Sequence, residues 1–250
     1  MTWIVYQSYR EYDVAPWLER CIASVRDWAD AAGHDYRFYG DEIFRRLPDW
    51  YRNKCGPYPQ IATDLGRLML AKEMLAEGAE AVIWLDADVL VFEPAAMTID
   101  LADGYAFGRE RWVEADAKGS WRVRRNVHNA VCAFAPGNDM LDFYSHAALR
   151  IMRRVDRGVP PQIVGTKFLT AMHNMVGLPL TDAVAMASPP VVADLAAGSG
   201  QALEALRAEL QAPAGAVNLC ASLVGQDVSP DVVTSAMDTL QARPELLAPA

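Results

Sequence analysis

The amino-acid sequence predicts an α/β domain with a mostly parallel central sheet flanked by helices. Short apolar runs alternate with amphipathic helical segments, an order typical of parallel strands joined by helical crossovers. The chain has 250 residues, of which 52% are hydrophobic and 22% charged, a composition that suits one folded domain and excludes a disordered chain. We expect this domain to span residues 1–225, and residues 226–250 to form a weakly attached, partly helical C-terminal tail.

The first half of the chain shows the alternation most clearly. Residues 15–32 repeat apolar side chains every three or four positions and end at Gly33, as an amphipathic helix does. Residues 81–85 form a continuous apolar run, typical of a strand buried on both faces. The predicted elements are strand 3–7, helix 15–32, strand 35–39, a short helix 41–46, a loop 50–59, a helix capped by Thr63 or Asp64 that runs to Glu77, and strand 81–85.

The second half continues the same sheet. Its predicted elements are strands 105–107 and 130–134, a helix 138–155, helices 166–175 and 200–210, and a strand 216–220. Between the first two of these strands we expect a solvated loop that carries a basic cluster. An alternative is that this loop faces a phosphate or the acceptor substrate. The cluster contains Arg109, Arg111, Lys118, Arg122, Arg124 and Arg125.

Charge and cysteine usage narrow the class of protein. The formal net charge of −9 argues against a nucleic-acid partner, which requires an excess of Lys and Arg. The cysteines lie far apart and predict neither a zinc site nor disulfides, so a cytoplasmic location is expected. No stretch has the form of a secretion signal or of a transmembrane segment. The four cysteines are Cys21, Cys55, Cys132 and Cys220.

Asp86 and Asp88 are the strongest candidates for a functional site. They follow the apolar strand 81–85 directly, and ligands of open α/β sheets collect at the carboxyl ends of strands. Two carboxylates in an apolar frame are costly to ionise unless a cation lies beside them, and Mn²⁺ or Mg²⁺ prefers such oxygen ligands. The alternative is that Asp86 only ends the strand and Asp88 points to solvent.

Other polar residues are candidates on the neighbouring elements. Asp64 and Arg67 lie three apart on one helix face, so they form either an intrahelical ion pair or a site for the donor sugar and diphosphate. Asn129 offers donors and acceptors to a sugar, whereas a lone histidine such as His128 is usually structural. From the C-terminal side, Asn218 and Ser222 are candidates to complete a metal shell; a turn function is the alternative. These residues lie on four separate predicted elements.

The segments TDLGRLMLAKEMLAEGAE and AVIWLDADVLVFEP resemble the DXD-containing sugar-binding region of GT-A-type glycosyltransferases. That group includes fungal mannosyltransferases, bacterial polysaccharide-building transferases and glucosylating toxins. The opening WIVYQSYR and the segment CIASVRDWADAAGHDYRFYGDE are similar to the first strand and following unit of the family. The Gly-Gly-x-Tyr that usually precedes the DXD is replaced here by EGAEAVIW. The resemblance implies a single GT-A-like (Rossmann-like) domain.

The resemblance also implies roles for individual residues. Asp64 and Arg67 match the D-x-x-R that contacts sugar and phosphate, and Tyr9 falls near the position of an aromatic residue beside the nucleotide base. Asp88 would bind the metal directly, and Asp86 would touch ribose, sugar or metal-bound water. Asn218 stands where the family has an acidic or histidine ligand.

The function so implied is a metal-dependent, retaining hexosyltransferase of polysaccharide biosynthesis. Its donor would be a UDP- or GDP-sugar, and its acceptor a glycan, a lipid-linked saccharide or a protein. Two alternatives stay open at the level of sequence. One is a haloacid-dehalogenase-like, Mg²⁺-dependent phosphatase, whose nucleophile also lies in a DxD after an apolar strand. The other is a protein that binds a nucleotide sugar without turning it over.

Overall fold

Two β-sheets organise the computed structural model, which describes residues 3–156 and 158–250. The central sheet has six strands in the order β2-β1-β3-β6-β5-β7, and a second sheet has the order β4-β9-β8. In chain order the strands are β1 (Ile4–Ser8), β2 (Asp35–Tyr39), β3 (Val82–Leu85), β4 (Val89–Val91), β5 (Tyr105–Ala115), β6 (Trp121–Phe134), β7 (Leu180–Thr181), β8 (Val184–Met186) and β9 (Ala216–Asn218).

The central sheet is mostly parallel, as the sequence predicts. Strand β1 pairs in parallel with β2 and β3, and β5 pairs in parallel with β7. Only β6 runs against its neighbours, because it is antiparallel to both β3 and β5. The parallel strands β1 and β3 place their carboxyl ends at one edge of the sheet, where the apolar run of β3 gives way to Asp86.

Helices flank the sheet and bury apolar side chains against it. Strand β3 is fully buried, and the indole of Trp84 packs edge-on against Tyr6 with ring centroids 5.2 Å apart. No helix among the described residues is long and apolar enough to cross a membrane. The helices are α1 (Pro16–Ala31), α2 (Asp49–Cys55), α3 (Pro59–Ala76), α4 (Asp139–Arg154), α5 (Thr166–Val176), α6 (Pro189–Ala197), α7 (Gln201–Arg207) and α8 (Pro230–Ala242).

Two predictions before β3 are wrong in detail. The predicted loop 50–59 contains the helix α2, whose Tyr51 and Cys55 are buried. Helix α3 begins at Pro59 and not at a cap formed by Thr63 or Asp64. Proline is favoured in the first turn of a helix because it has no N–H to leave unpaired, and Thr63 instead donates its hydroxyl to the Pro59 carbonyl.

The prediction of a solvated basic loop is also wrong, because residues 105–134 form a long hairpin of β5 and β6. The pairing runs from Phe107 opposite Cys132 to Ala115 opposite Trp121, with a bulge after Phe107. The basic side chains therefore alternate between the two faces of a two-stranded ribbon. This ribbon continues beyond the end of β3, which pairs only with residues 131–134 of β6.

The C-terminal part of the chain packs onto the domain. Helix α6 lies where no helix was predicted, and α8 supplies buried Val233, Met237 and Leu240 to the same apolar cluster. Residues 226–250 contain α8, and their Leu246 and Leu247 are buried in the same cluster. The boundary proposed at residue 225 stays a prediction.

Candidate active site

Asp86 and Tyr9 lie at the carboxyl ends of the neighbouring strands β3 and β1, and Asp86 is also next to β6. In the register of β1 and β3, Tyr6 pairs with Trp84, so the residues after each strand lie side by side. The N–H of Asp86 donates to the Ala130 carbonyl of β6 at 2.9 Å. Tyr9 is half-buried there, with the Arg10 guanidinium 5.6 Å from its ring centroid. Asp86 and Tyr9 thus share one edge of the sheet.

One oxygen of the Asp86 carboxylate is fixed by two buried side chains. Its Oδ1 accepts the Trp84 indole N–H at 2.6 Å and lies 3.1 Å from Arg67 Nη1. Gln7 fixes the backbone at the same point, since its Nε2 donates to the Asp86 carbonyl at 3.1 Å. The side chain is 29% exposed, so Asp86 is oriented by the protein and still reaches the surface.

Arg67 is buried and joins several of the predicted residues. Its Nη2 lies 2.9 Å from Asp64 Oδ1, and its Nη1 also donates to the Asn129 carbonyl. The guanidinium stacks over the Trp84 ring at 4.7 Å. Burial alone lowers the pKa of Arg67, but Asp86 and Asp64 offset this, so its pKa lies above the ordinary value. Arg67 is thus a permanent cation that neutralises two carboxylates.

Asp64 and Asn129 complete this buried set. Asp64 is 6% exposed, and its Oδ1 accepts from the Asn129 side chain at 2.7 Å. Burial raises the pKa of the Asp64 carboxyl, and the nearby charge of Asp86 raises it too. Arg67 and the hydrogen bond from Asn129 act in the opposite direction, but the pKa stays above its ordinary value. A Cβ added at Gly165 would lie 3.1 Å from both side chains. The backbone before α5 therefore covers Asp64 and Asn129 closely.

Asp88 is held by the segment that follows β9. Its Oδ1 accepts from Asn218 Nδ2 at 2.6 Å, and its Oδ2 accepts the Ala221 N–H at 2.7 Å. The Asn218 oxygen points the other way and accepts the Cys220 N–H at 2.8 Å. Asn218 thus lies beside Asp88 and presents its nitrogen, not its oxygen, to the carboxylate. Ser222 is exposed in the turn Ala221–Leu223.

Asp86 and Asp88 form a pair of carboxylates whose ionised forms disfavour each other. Burial and, to a smaller extent, Asp86 raise the pKa of Asp88, and the hydrogen bonds from Ala221 and Asn218 lower it; the net result is a pKa of about 6. Within the part of the chain that the structure describes, no group of three or more His, Cys, Asp or Glu side chains could hold a metal ion. Two carboxylates next to phosphate oxygens of a substrate nevertheless suit a hard divalent cation.

No sequence pattern singles out Glu110, which the hairpin buries near this site. Glu110 is 7% exposed, and its Oε2 has no hydrogen-bond partner among the described residues. Burial raises the pKa of Glu110, a hydrogen bond with Asn126 lowers it by less, and the resulting pKa is about 7. The pKa of the Cys220 thiol is raised by burial and then by Asp88, Glu110 and Asp86 in that order. Cys220 therefore lies within electrostatic reach of all three carboxyl groups.

His128 has a structural function, as the sequence suggested for a lone histidine. It is 2% exposed, and its Nδ1 accepts the Ala130 N–H at 3.2 Å. Its Nε2 lies 3.2 Å from the Val184 carbonyl, to which it donates. Burial lowers the pKa of His128 to about 4, so the ring is neutral at pH 7. It joins β6 to β8 beneath the site.

Comparison with known proteins identifies the fold. No protein-family model matches the sequence, and no curated protein matches it. The structure is similar to that of a glycosyltransferase involved in the glycosylation of the major capsid of PBCV-1, with 15% identity and a TM-score of 0.51. The match covers 91% of this chain and 98% of that one. The chain therefore has a glycosyltransferase-like fold.

A second similar structure adds no weight. It is A197 from STIV, which is 11% identical, with a TM-score of 0.31 over 70% of this chain and 78% of that one.

Proposed function

We propose that the protein is a metal-dependent glycosyltransferase that moves a sugar from a nucleotide-sugar donor to an acceptor hydroxyl. The observation that carries this proposal is the pair Asp86 and Asp88 at the carboxyl edge of the central sheet. Each carboxylate is oriented by its own set of partners, and both remain partly exposed. The glycosyltransferase-like fold supports the same activity.

The donor site lies around these two carboxylates. Asp86 and Asp88 would hold Mn²⁺ or Mg²⁺, which when bound neutralises the diphosphate of a UDP- or GDP-sugar as it leaves. Tyr9, beside the end of β1, would contact the nucleotide base. Asn218 would act on the metal site through the hydrogen bond that orients Asp88. Its own oxygen would reach a metal only if the amide turned.

Arg67 would support the reaction from beneath the site. Since its side chain is 5% exposed and paired with Asp64 and Asp86, it holds Asp86 in place rather than reaching out to the diphosphate. Its permanent charge also lowers the cost of placing two carboxylates and a diphosphate together. Asp64 and Asn129 in turn fix the guanidinium. Retention of anomeric configuration and a glycan, lipid-linked or protein acceptor are part of the proposal.

Thermal-shift screening tests this proposal directly. The purified protein is heated with UDP-, GDP- and CMP-sugars, each with and without Mn²⁺ or Mg²⁺. We expect one nucleotide class to raise the melting temperature only when the metal is present, because a ligand that binds the native state stabilises it. The same mixtures are then assayed for release of nucleoside diphosphate.

The alternatives predict different results. A phosphatase would hydrolyse p-nitrophenyl phosphate with Mg²⁺ and show no nucleotide-sugar shift. A binding protein would show the shift without releasing nucleoside diphosphate. Either result would contradict the proposed transferase.

A further inference from the structure

A cavity of about 360 Å³ lies beside the hairpin of β5 and β6, away from the two carboxylates. Its volume falls within the range of small-ligand sites. Polar side chains dominate its lining; they come from both strands of the hairpin, from α5, and from Glu209 and Gln211 after α7. They include Arg109, Arg111, Arg125, Thr170, His173 and Asn174.

The three guanidinium groups carry more charge than their partners cancel. Arg109 and Arg111 share one carboxylate, that of Asp182, at 3.3 and 2.5 Å. Arg125 makes two hydrogen bonds to Glu209, at 2.9 and 2.8 Å. Three positive and two negative side chains leave one net positive charge in a chain whose formal net charge is −9. Each guanidinium has five N–H donors. The side chains of Arg109 and Arg125 are 31% and 76% exposed, so their remaining donors are accessible to a ligand, whereas Arg111 is only 6% exposed.

Two further side chains add hydrogen-bond donors with a fixed direction. Thr170 Oγ1 accepts the Val127 N–H at 3.0 Å, which leaves its hydroxyl proton free to donate elsewhere. His173 Nδ1 accepts the Leu178 N–H at 2.9 Å, so Nε2 is the ring nitrogen that carries a proton and can donate. The lining therefore presents donors from the arginines, Thr170 and His173, as a site for an anion does.

Strand β6 connects the cavity to the candidate active site, because it carries both Arg125 of the cavity lining and Asn129 of the site. Helix α5 runs beside β6, from Gly165 next to Asn129, past Thr170 at Val127, to His173 at the cavity. Arg125 is four residues from Asn129 along β6, a path of roughly 13 Å. A short glycan is long enough to span this distance.

We propose that this cavity binds an anionic group, a phosphate or a carboxylate, that the acceptor carries. The binding of the anion depends only on the cavity, whereas its assignment to the acceptor rests on the proposed glycosyltransferase function. The acceptor would then be a phosphorylated or acidic saccharide rather than a neutral one. Its anionic end is held by Arg109, Arg111 and Arg125 while a hydroxyl further along reaches the donor.

The test uses inorganic phosphate and glucuronate as probes on the full chain. Each is titrated at constant ionic strength against sodium chloride, and the melting temperature gives an apparent Kd. We expect saturable stabilisation of the wild type by at least one probe, and the stronger one identifies the anion. In the double variant R109Q/R125Q the apparent Kd rises about tenfold or more. The variant N174D, at an exposed position of the cavity lining, should show the same loss without any risk to folding.

Matched controls remove the same charges elsewhere. The double variant R122Q/R124Q loses two exposed arginines of the same hairpin that do not line the cavity, and it should bind the probe as the wild type does. D88N should also retain the probe while losing the nucleotide-sugar shift, which separates this site from the donor site. Absence of stabilisation, an equal loss in R122Q/R124Q, or a loss in D88N would overturn the proposal.

Discussion

The Nη1 atom of Arg67 lies 3.1 Å from Oδ1 of Asp86, although the first residue belongs to helix α3 and the second follows strand β3. The same guanidinium lies 2.9 Å from Asp64. The D-x-x-R pair on the helix and the first aspartate of the DXD pair are thus one electrostatic unit. Changes in either are expected to affect both the stability of the fold and the geometry of the site.

Removal of Arg67 should strongly destabilise the protein. In Arg67→Met the buried Asp64 and the partly buried Asp86 lose their cation, and breaking a buried pair in this way costs about 3–5 kcal/mol. Urea denaturation measures the free energy of unfolding. The matched control is Arg52→Met, which removes an exposed pair with Asp49 and should cost less than about 1 kcal/mol. Equal losses in the two variants would show that Arg67 contributes no more than a surface pair.

Asp88→Asn should abolish sugar transfer without unfolding the protein. The amide is nearly isosteric with the carboxylate and its oxygen can still accept the Ala221 N–H, but its nitrogen then faces the Asn218 amide nitrogen and that hydrogen bond is lost. Loss of one buried hydrogen bond costs about 1–3 kcal/mol, so the melting temperature should fall by roughly 2–12 °C and the protein should stay folded. The negative charge that would bind the metal is lost, and with it the metal-dependent shift by the nucleotide sugar. Asp238→Asn, at a largely exposed carboxylate, serves as the control. Near-normal turnover in Asp88→Asn would refute the assignment of the site.

Glu110→Gln should change how stability depends on pH. Burial raises the pKa of Glu110 from 4.5 to about 7, so the folded protein binds a proton that the unfolded chain releases between these values. Wild-type stability from this group is full below pH 4.5 and is lost as the pH rises to about 7, by roughly 3 kcal/mol. Glu110→Gln cannot ionise and so does not lose this stability. Its free energy of unfolding should therefore rise relative to that of the wild type as the pH increases from 4.5 to about 7.

The comparison for Glu110 is the difference in unfolding free energy between variant and wild type, measured by urea denaturation from pH 4 to pH 8. Glu114→Gln, on the same strand and paired with Arg124, provides the reference. A difference that stays constant with pH in both variants would mean that Glu110 is not held protonated by burial.

Gly108→Ala should disrupt the contact between β5 and the ring of His128. A Cβ at this position would lie 1.9 Å from His128 Cε1, and overpacking of this kind costs typically about 1–3 kcal/mol. In a His128→Ala background the added methyl group has space, so its cost should largely disappear. The double-mutant cycle gives the coupling free energy between the two positions. A cost that is unchanged in the second background would locate the strain elsewhere.

The sequence was sufficient to predict that the two carboxylates lie at the edge of the sheet where β3 ends. The apolar run of β3 marks a fully buried strand, and its sudden end in Asp86 marks the edge. The three-residue spacing of Asp64 and Arg67 also predicts their contact, since both lie on one face of α3. These features depend on local pattern, and local pattern survives in the sequence.

The hairpin and its burial of Glu110 could not be predicted in the same way. Residues 109–126 extend beyond β3 as a two-stranded ribbon, so charged side chains occupy both of its faces and hide the alternation that marks a strand. The convergence of Arg67 on Asp86, and of Asn218 on Asp88, joins residues far apart in the chain. Such contacts follow from the tertiary fold, which no spacing along the sequence records.

The two halves of the carboxylate pair depend on parts of the chain made at different times. The Asp86 carboxylate contacts Trp84 and Arg67, which precede it in the chain. The partners of Asp88 are Asn218 and Ala221, which come 130 and 133 residues later. A ribosome adding about 5–20 residues per second needs roughly 10 s to cover that interval. The partners of Asp86 are therefore already synthesised when the chain reaches Asp88, whereas those of Asp88 are still to be added.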